Sequence, residues 1–156
     1  MQFLDSINTI KIFDFSNTLW YLRSRARNGI IQVSHERKVG LTMPLISVNA
    51  VGTLTAQQKD AIKAGLGHAI TLIPGKKEKA LMVDISDGHA LYLGGNPLEN
   101  GAFVDVRMFK DAEFDDKKAM TEAIFALLEK ECGIPANQIY LTFTAHAEWG
   151  LRGTLY

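Results

Sequence analysis

The chain has 156 residues, of which 47% are apolar and 22% charged, a balance typical of a soluble protein with one globular domain. Its 17 basic and 17 acidic side chains cancel, so no overall charge favours binding to nucleic acid or to a membrane surface. No apolar run approaches the ~18 residues of a membrane span, and the N-terminus lacks the apolar stretch of a signal peptide. We therefore expect a cytoplasmic protein.

Residues 1–42 are weakly organised and carry a net charge of +3, against −3 in the remainder. A helix over residues 9–22 is one interpretation, with Ile12, Phe15, Leu19 and Leu22 on its apolar face. A basic arm that binds a membrane surface or nucleic acid is one functional interpretation. We favour another, in which the segment is a disordered extension or lies upstream of a true start of translation at Met43.

Clearer secondary-structure patterns begin at Pro44, where an apolar run predicts a short strand over residues 44–51. Thr55 is the predicted N-cap of a helix over residues 56–72, which Pro74 and Gly75 end. The apolar residues of this helix recur at helical spacing, and its predicted inward face consists of Ile62, Leu66, Ala69, Ile70 and Ile73. Gly65 and Gly67 each cost the helix about 1 kcal/mol relative to alanine, so tertiary packing must compensate.

The order strand-helix-strand is then repeated. A strand is predicted over residues 81–85, an extended piece over 89–93, and a third main strand over 101–109. A second helix, capped by Asp115 or Asp116 and stopped at Gly133, leads to a fourth strand over 139–144 and a short tail. The inward face of this helix is predicted to be Met120, Ile124, Leu127 and Leu128.

Two successive β-α-β units indicate an α+β domain with an internal duplication and a four-stranded sheet. With both helices on one face of that sheet, the apolar residues of the other face need a cover. Another copy of the protein is the simplest one.

The chain offers little for metal or thiol chemistry. Its single cysteine, Cys132, excludes an internal disulfide framework and a site with several cysteine ligands, and we interpret it as a small packed thiol. His68, His89 and His146 lack the spacing of metal ligands, so we expect no metal site.

Residues 43–156 resemble macrophage migration inhibitory factor and the D-dopachrome tautomerases of the tautomerase superfamily. The resemblance rests on short motifs in the same order: Met43-Pro44 before Leu-Ile-Ser-Val-Asn, Gly75-Lys76, Gly94-Gly95, Ile134-Pro135 and Trp149-Gly150. It implies a homotrimeric barrel with active sites at the subunit interfaces, and it leaves residues 1–42 without a counterpart. It also implies a cofactor-independent keto-enol tautomerase that acts on an α-keto acid or aryl pyruvate, of the phenylpyruvate or dopachrome type.

The resemblance assigns roles to individual residues. Pro44 matches the catalytic base, exposed by removal of Met43, and Lys76 matches the residue that holds the substrate carboxylate. Without the resemblance, Pro44 reads as an ordinary strand-edge proline and Lys76 as a charge at a helix C-terminus.

Further positions match substrate contacts. Phe109 matches a position whose backbone contacts the substrate, Tyr140 the interface tyrosine, and Trp149 an aromatic residue at the pocket mouth. Thr142 replaces the family's asparagine and Ala80 replaces a frequent aromatic residue, so substrate preference is left open. Phe109 and Tyr140 are also interpretable as core and interface residues.

Two other functions stay open at this point. The family includes extracellular signalling proteins, so the chain is alternatively a protein-interaction module that binds a host or receptor protein and is exported without a signal peptide. If residues 1–42 are retained, the alternative is an inactive homologue with a basic arm.

The proposed base depends on the nitrogen of Pro44. This nitrogen is a secondary amine only when Pro44 begins the chain; in mid-chain it is a tertiary amide without useful basicity. Burial and the nearby Lys76 ammonium both lower the pKa of such an amine. At a separation of ~7 Å and a dielectric constant of ~20, the repulsion is about 2.4 kcal/mol, or under ~2 pK units. Pro44 is therefore predicted to be largely neutral at pH 7.

Overall fold

The computed structural model describes residues 9–13, 19–23 and 43–156, within a chain that divides into two units, Met1–Leu41 and Thr42–Tyr156. In the first unit, β1 (Thr9–Phe13) and β2 (Leu19–Arg23) pair antiparallel. The helical interpretation of residues 9–22 is therefore wrong for the described residues of that range, which form strands. The alternation of β-branched and polar residues in Thr-Ile-Lys-Ile-Phe favours a strand. The other expectations for residues 1–42 lie outside the described part of the chain.

The second unit opens with a strand and a capped helix, as the sequence predicts. In β3 (Pro44–Ala50), fully buried residues alternate with half-buried ones, so one face of the strand lies against the core. The next element, α1 (Ala56–Ala69), begins at a capping box. The Thr55 hydroxyl accepts the Gln58 N–H at 3.2 Å, and the Gln58 side chain accepts the Thr55 N–H at 2.9 Å. A 3₁₀ turn, Ile70–Leu72, then continues the chain.

The remaining main strands and the second helix follow in the predicted order, with short strands between and after them. They are β4 (Met82–Ser86), β5 (Tyr92–Leu93), β6 (Asn96–Pro97), β7 (Ala102–Phe109), α2 (Phe114–Cys132), β8 (Ile139–His146), β9 (Gly150–Leu151) and β10 (Thr154–Leu155). Strands β5 and β6 form a tight hairpin over Gly94-Gly95, and β9 and β10 form a second one in the C-terminal tail.

The N-cap predicted for α2 is wrong. The helix begins after Glu113, which caps it without a side-chain hydrogen bond, and Asp115 and Asp116 lie in the first turn. Carboxylates there interact favourably with the positive end of the helix dipole, which explains their place without a capping role. The predicted stop is confirmed, because Gly133 has a left-handed backbone with φ of 65°.

The four main strands form one mixed sheet in the order β4-β3-β7-β8. The pairs β3–β4 and β7–β8 are parallel, and the two halves join antiparallel through β3 and β7. Both helices pack together on one side of this sheet. The predicted inward faces are confirmed, since Ile62, Leu66, Ile124 and Leu128 are fully buried. The domain is therefore an α+β fold built from two β-α-β units.

Gly65 allows α1 and α2 to approach closely. A methyl group at Gly65 would overlap the side chain of Leu127 on α2. This contact is the packing that compensates for glycine inside a helix.

The other face of the sheet is more accessible. Tyr140 on β8 is 61% exposed, and Phe103, which stands opposite it on β7, is half-buried. In the described residues, neither helix has the length and hydropathy needed to cross a membrane.

Candidate functional site

Pro44 lies where the first strand of the sheet begins. It is fully buried and stands opposite Met108 near the end of β7. Met43, which is 3% exposed, precedes it, and the Met43 carbonyl accepts the Phe109 N–H at 3.1 Å. The first position of a strand tolerates a residue without an N–H donor, so Pro44 interrupts no ladder bond. The ladder therefore fixes Pro44 beside the C-terminal end of β7.

Lys76 reaches the same place from the loop after α1. Gly75 has a φ of 79°, and the Lys76 N–H donates to Ile73 at 3.0 Å, which closes a turn. The Lys76 ammonium then donates to the backbone carbonyl of Phe109 at 2.8 Å. Three of the residues singled out in the sequence, Pro44, Lys76 and Phe109, are thus brought together at one end of the sheet.

The environment of Lys76 lowers the pKa of its ammonium. Burial is the larger cause, since it disfavours the charged form, and the nearby Lys110 ammonium is the second. The bond to Phe109 uses one of three N–H donors. Lys76 therefore keeps donors for an anion while it is held in place.

Trp149 joins this end of the sheet through His146. His146 stands opposite Phe109 in the β7–β8 ladder, and its ring meets Trp149 edge-on at 5.6 Å and 73°. Trp149 is fixed by two backbone hydrogen bonds of 2.9 Å with Tyr156. The C-terminal hairpin thus places an aromatic side chain at the Phe109 end of the sheet.

Tyr140 and Thr142 lie elsewhere in the same chain. Tyr140 stands opposite Phe103, whereas Pro44 stands opposite Met108. These levels differ by five residues, which is about 17 Å along the strand. Thr142 is exposed and donates a 3.4 Å hydrogen bond to Asp105. Within one chain, therefore, these two side chains do not meet Pro44.

Lys110 also lies at this end of the sheet, and the sequence motifs did not single it out. This residue directly follows Phe109, has a positive φ of 61°, and places its ammonium 5.3 Å from the centroid of the Phe109 ring. The available signal was a lysine next to a residue already assigned to the site.

The remaining expectations concern metal ligands and the thiol of Cys132. In the strands of the first unit and in residues 43–156, no three His, Cys, Asp or Glu side chains lie close enough to share a metal ion. Burial and Glu131 raise the pKa of Cys132, so its reactive thiolate form is disfavoured.

The chain has clear relatives among solved structures. No family profile matches its sequence, and no curated protein sequence matches it significantly. Leishmania major MIF2 is 29% identical with a TM-score of 0.68, and the match covers 73% of this chain and 97% of that one. A macrophage migration inhibitory factor homologue from Prochlorococcus marinus is 25% identical with a TM-score of 0.63, over 71% and 97% of the two chains.

A more distant relative shows the fold alone. It is Pt0534, whose structure was solved after inactivation by 2-oxo-3-pentynoate. Pt0534 is 19% identical with a TM-score of 0.60, over 70% of this chain and 92% of that one.

Proposed function

Since the chain belongs to the macrophage migration inhibitory factor family, we propose that it is a cofactor-independent keto-enol tautomerase acting on α-keto acids of the aryl pyruvate type. The working form begins at Pro44. The observation that supports this proposal most strongly is the junction at Phe109. Its N–H bonds to the residue before Pro44, and its carbonyl holds the Lys76 ammonium.

Pro44 is the proposed general base. When it begins the chain, its nitrogen is a secondary amine in a buried position close to an ammonium group, and both features lower its pKa. The neutral amine takes a proton from the carbon beside the keto group, and the electron pair of that C–H bond forms the enolate. The proton then passes from the Pro44 ammonium to the enolate oxygen, which completes the tautomer.

Lys76 and Phe109 are the proposed substrate-binding groups. The free N–H donors of Lys76 bind the substrate carboxylate, and this charge-assisted bond orients the carbon toward Pro44. In the structure, the Phe109 N–H donates to the Met43 carbonyl, so removal of Met43 also frees this N–H. That N–H is a donor for a substrate oxygen in the same place.

A homotrimer is the proposed assembly. Tyr140 and Thr142 lie about 17 and 10 Å along the strand direction from the level of Pro44, on the more accessible face of the sheet. A neighbouring copy that packs on this face brings both side chains to the Pro44 site. Trp149, which lies at the start of the C-terminal hairpin of the same chain as Pro44, then borders the entrance to the site.

The proposal is tested by turnover of phenylpyruvate. Pro44→Gly, in a protein that begins at that residue, is expected to lose at least about tenfold in kcat/KM because glycine offers a primary amine in a freer backbone. A protein-interaction module would have no such dependence. Equal rates for the two proteins would rule out Pro44 as the base.

Covalent labelling gives a second test. The reagent 2-oxo-3-pentynoate is an α-keto acid with a conjugated triple bond, to which a neutral amine adds. A C–N bond forms, one π bond of the alkyne breaks, and the amine proton moves to carbon. Peptide mapping should find the adduct on Pro44 of the protein that begins there. An adduct confined to other residues would contradict the proposal.

A further inference from the structure

Lys110 has a backbone conformation that lysine rarely adopts. Its φ of 61° lies in the left-handed region, where a side chain with a Cβ crowds the backbone and glycine does not. The conformation is held by the end of the β7–β8 ladder, where the Lys110 N–H donates to His146 at 3.0 Å. The position thus carries a charged side chain where glycine would be less strained.

Lys110 and Lys76 place two ammonium groups around one residue. The Lys76 ammonium lies 2.8 Å from the Phe109 carbonyl, and the Lys110 ammonium lies 5.3 Å from the centroid of the Phe109 ring. The Lys110 ammonium is close enough to contribute to the lowered pKa of Lys76. Folding therefore holds two cations together at the end of the sheet that carries Pro44.

No carboxylate of the described residues neutralises this pair. The ion pairs found in residues 43–156 all involve other cations. Asp111, the acid next to Lys110 in sequence, lies 2.9 Å from the Lys117 ammonium and accepts the Ala112 N–H at 2.8 Å. An anion bound by both lysines would remove their mutual repulsion.

We propose that Lys110 is a second anion-binding residue of the site and selects keto acids that carry an additional carboxylate. This inference rests on the proposed function for the first carboxylate, which Lys76 binds. The second carboxylate meets the Lys110 ammonium, which lies 5.3 Å from the centroid of the Phe109 ring. A keto acid with one carboxylate leaves the Lys110 charge unpaired and binds less well.

The turnover test compares phenylpyruvate with 4-carboxyphenylpyruvate. It uses the protein that begins at Pro44. The structural match to this chain covers 97% of the chain of each of two relatives, so this shorter protein has about their length. The diacid should be preferred by about two- to fivefold in kcat/KM, the range expected for one exposed ion pair. Lys110→Gln should abolish this preference, and Lys63→Gln, which removes an exposed lysine of α1, should preserve it.

A binding test separates this inference from the proposed function. Phenylacetate and 4-carboxyphenylacetate cannot tautomerise in the same way, and their affinities are measured by NMR titration. Turnover of phenylpyruvate with a diacid preference unchanged in Lys110→Gln would overturn the role of Lys110 and leave the tautomerase intact. If neither keto acid is turned over, the proposed tautomerase is wrong. In that case, tighter binding of 4-carboxyphenylacetate than of phenylacetate that is lost in Lys110→Gln still supports the anion site. Equal affinities for the two acids overturn it.

Discussion

The two β-α-β halves of the domain share one architecture and differ where each helix returns to the sheet. Both helices are followed by a glycine with positive φ, Gly75 at 79° and Gly133 at 65°. The next residue is Lys76 in the first half, which donates to Phe109, and Ile134 in the second half, which is 1% exposed in the core. The residue after the glycine therefore carries a cation bonded to the end of β7 in one half and fills the core in the other.

The partners of the two turns differ in the same way. The first turn is tied to the end of β7 by the Lys76 ammonium, and the second is tied by the Asn100 amide, which donates to the Gly133 carbonyl at 2.9 Å. A neutral amide leaves no charge for a ligand. The residue after the glycine is thus charged and half-buried in the first half, and apolar and buried in the second.

The largest effect is expected from Ile134→Lys, which puts a cation into the second turn. Ile134 is buried, so the ammonium would lose its hydration without a partner. We expect a loss of about 4 kcal/mol in the free energy of unfolding, measured by urea denaturation. Ile134→Val is the matched control, with an expected loss of about 1 kcal/mol. Equal stability of Ile134→Lys and wild type would show that the two turns are interchangeable.

The reverse exchange, Lys76→Ile, should leave the fold intact and impair function. It removes the proposed charge-assisted bond to the substrate carboxylate, worth about 1.5–3 kcal/mol, so kcat/KM for phenylpyruvate should fall about 10- to 150-fold. Lys77→Ile, one residue away and exposed, is the control and should retain activity. Unchanged kinetics in Lys76→Ile would remove Lys76 from the site.

The contact between Gly65 of α1 and Leu127 of α2 gives a smaller effect. The change in the free energy of unfolding caused by Gly65→Ala should reverse its sign when Leu127 is removed. Gly65→Ala should lower the free energy of unfolding by about 1 kcal/mol, because the new methyl group overlaps Leu127. In a Leu127→Ala background the overlap is gone, and the higher helix propensity of alanine should raise stability by up to about 1 kcal/mol. Chemical denaturation of the four proteins measures both. Destabilisation of equal size in both backgrounds would contradict the account of this contact.

The pH dependence of substrate binding follows from the lowered pKa of Lys76. KM should begin to rise with pH below the ordinary lysine value of 10.5, because Lys76 loses its proton early. Folding lowers this pKa, so its penalty to stability is present at low pH and is relieved as pH rises toward 10.5. Lys110→Gln removes the smaller cause of the lowered pKa and should move the rise in KM to higher pH. A shift in the opposite direction would exclude repulsion between the two lysines.

Regular patterns made much of this fold predictable. The helix spacing of Ile62 and Leu66, the capping sequence at Thr55 and the glycine at Gly133 are local signals, and each leads to the structure observed. The hairpin of β9 and β10 was not predicted, because its strands have two residues each and no alternation to detect. Short elements of this kind depend on their hydrogen-bond partners, which sequence alone does not reveal.

The site was harder to predict from physical patterns than the fold. Lys76 follows a glycine, as Ile134 does, and no local rule sets it apart. Its contact is with the carbonyl of Phe109, which is distant in sequence and adjacent in space. Lys110 was missed because its relevance depends on that same contact.

The central claim is that the Pro44 nitrogen is a free, neutral amine in the working protein. The most direct test compares kcat/KM for phenylpyruvate between a protein that begins at Pro44 and the same protein beginning at Met1, with intact mass confirming each start. The account predicts that the Met1 form is at least about 100-fold less active, because an amide nitrogen cannot serve as the general base. Equal activity of the two forms would contradict it.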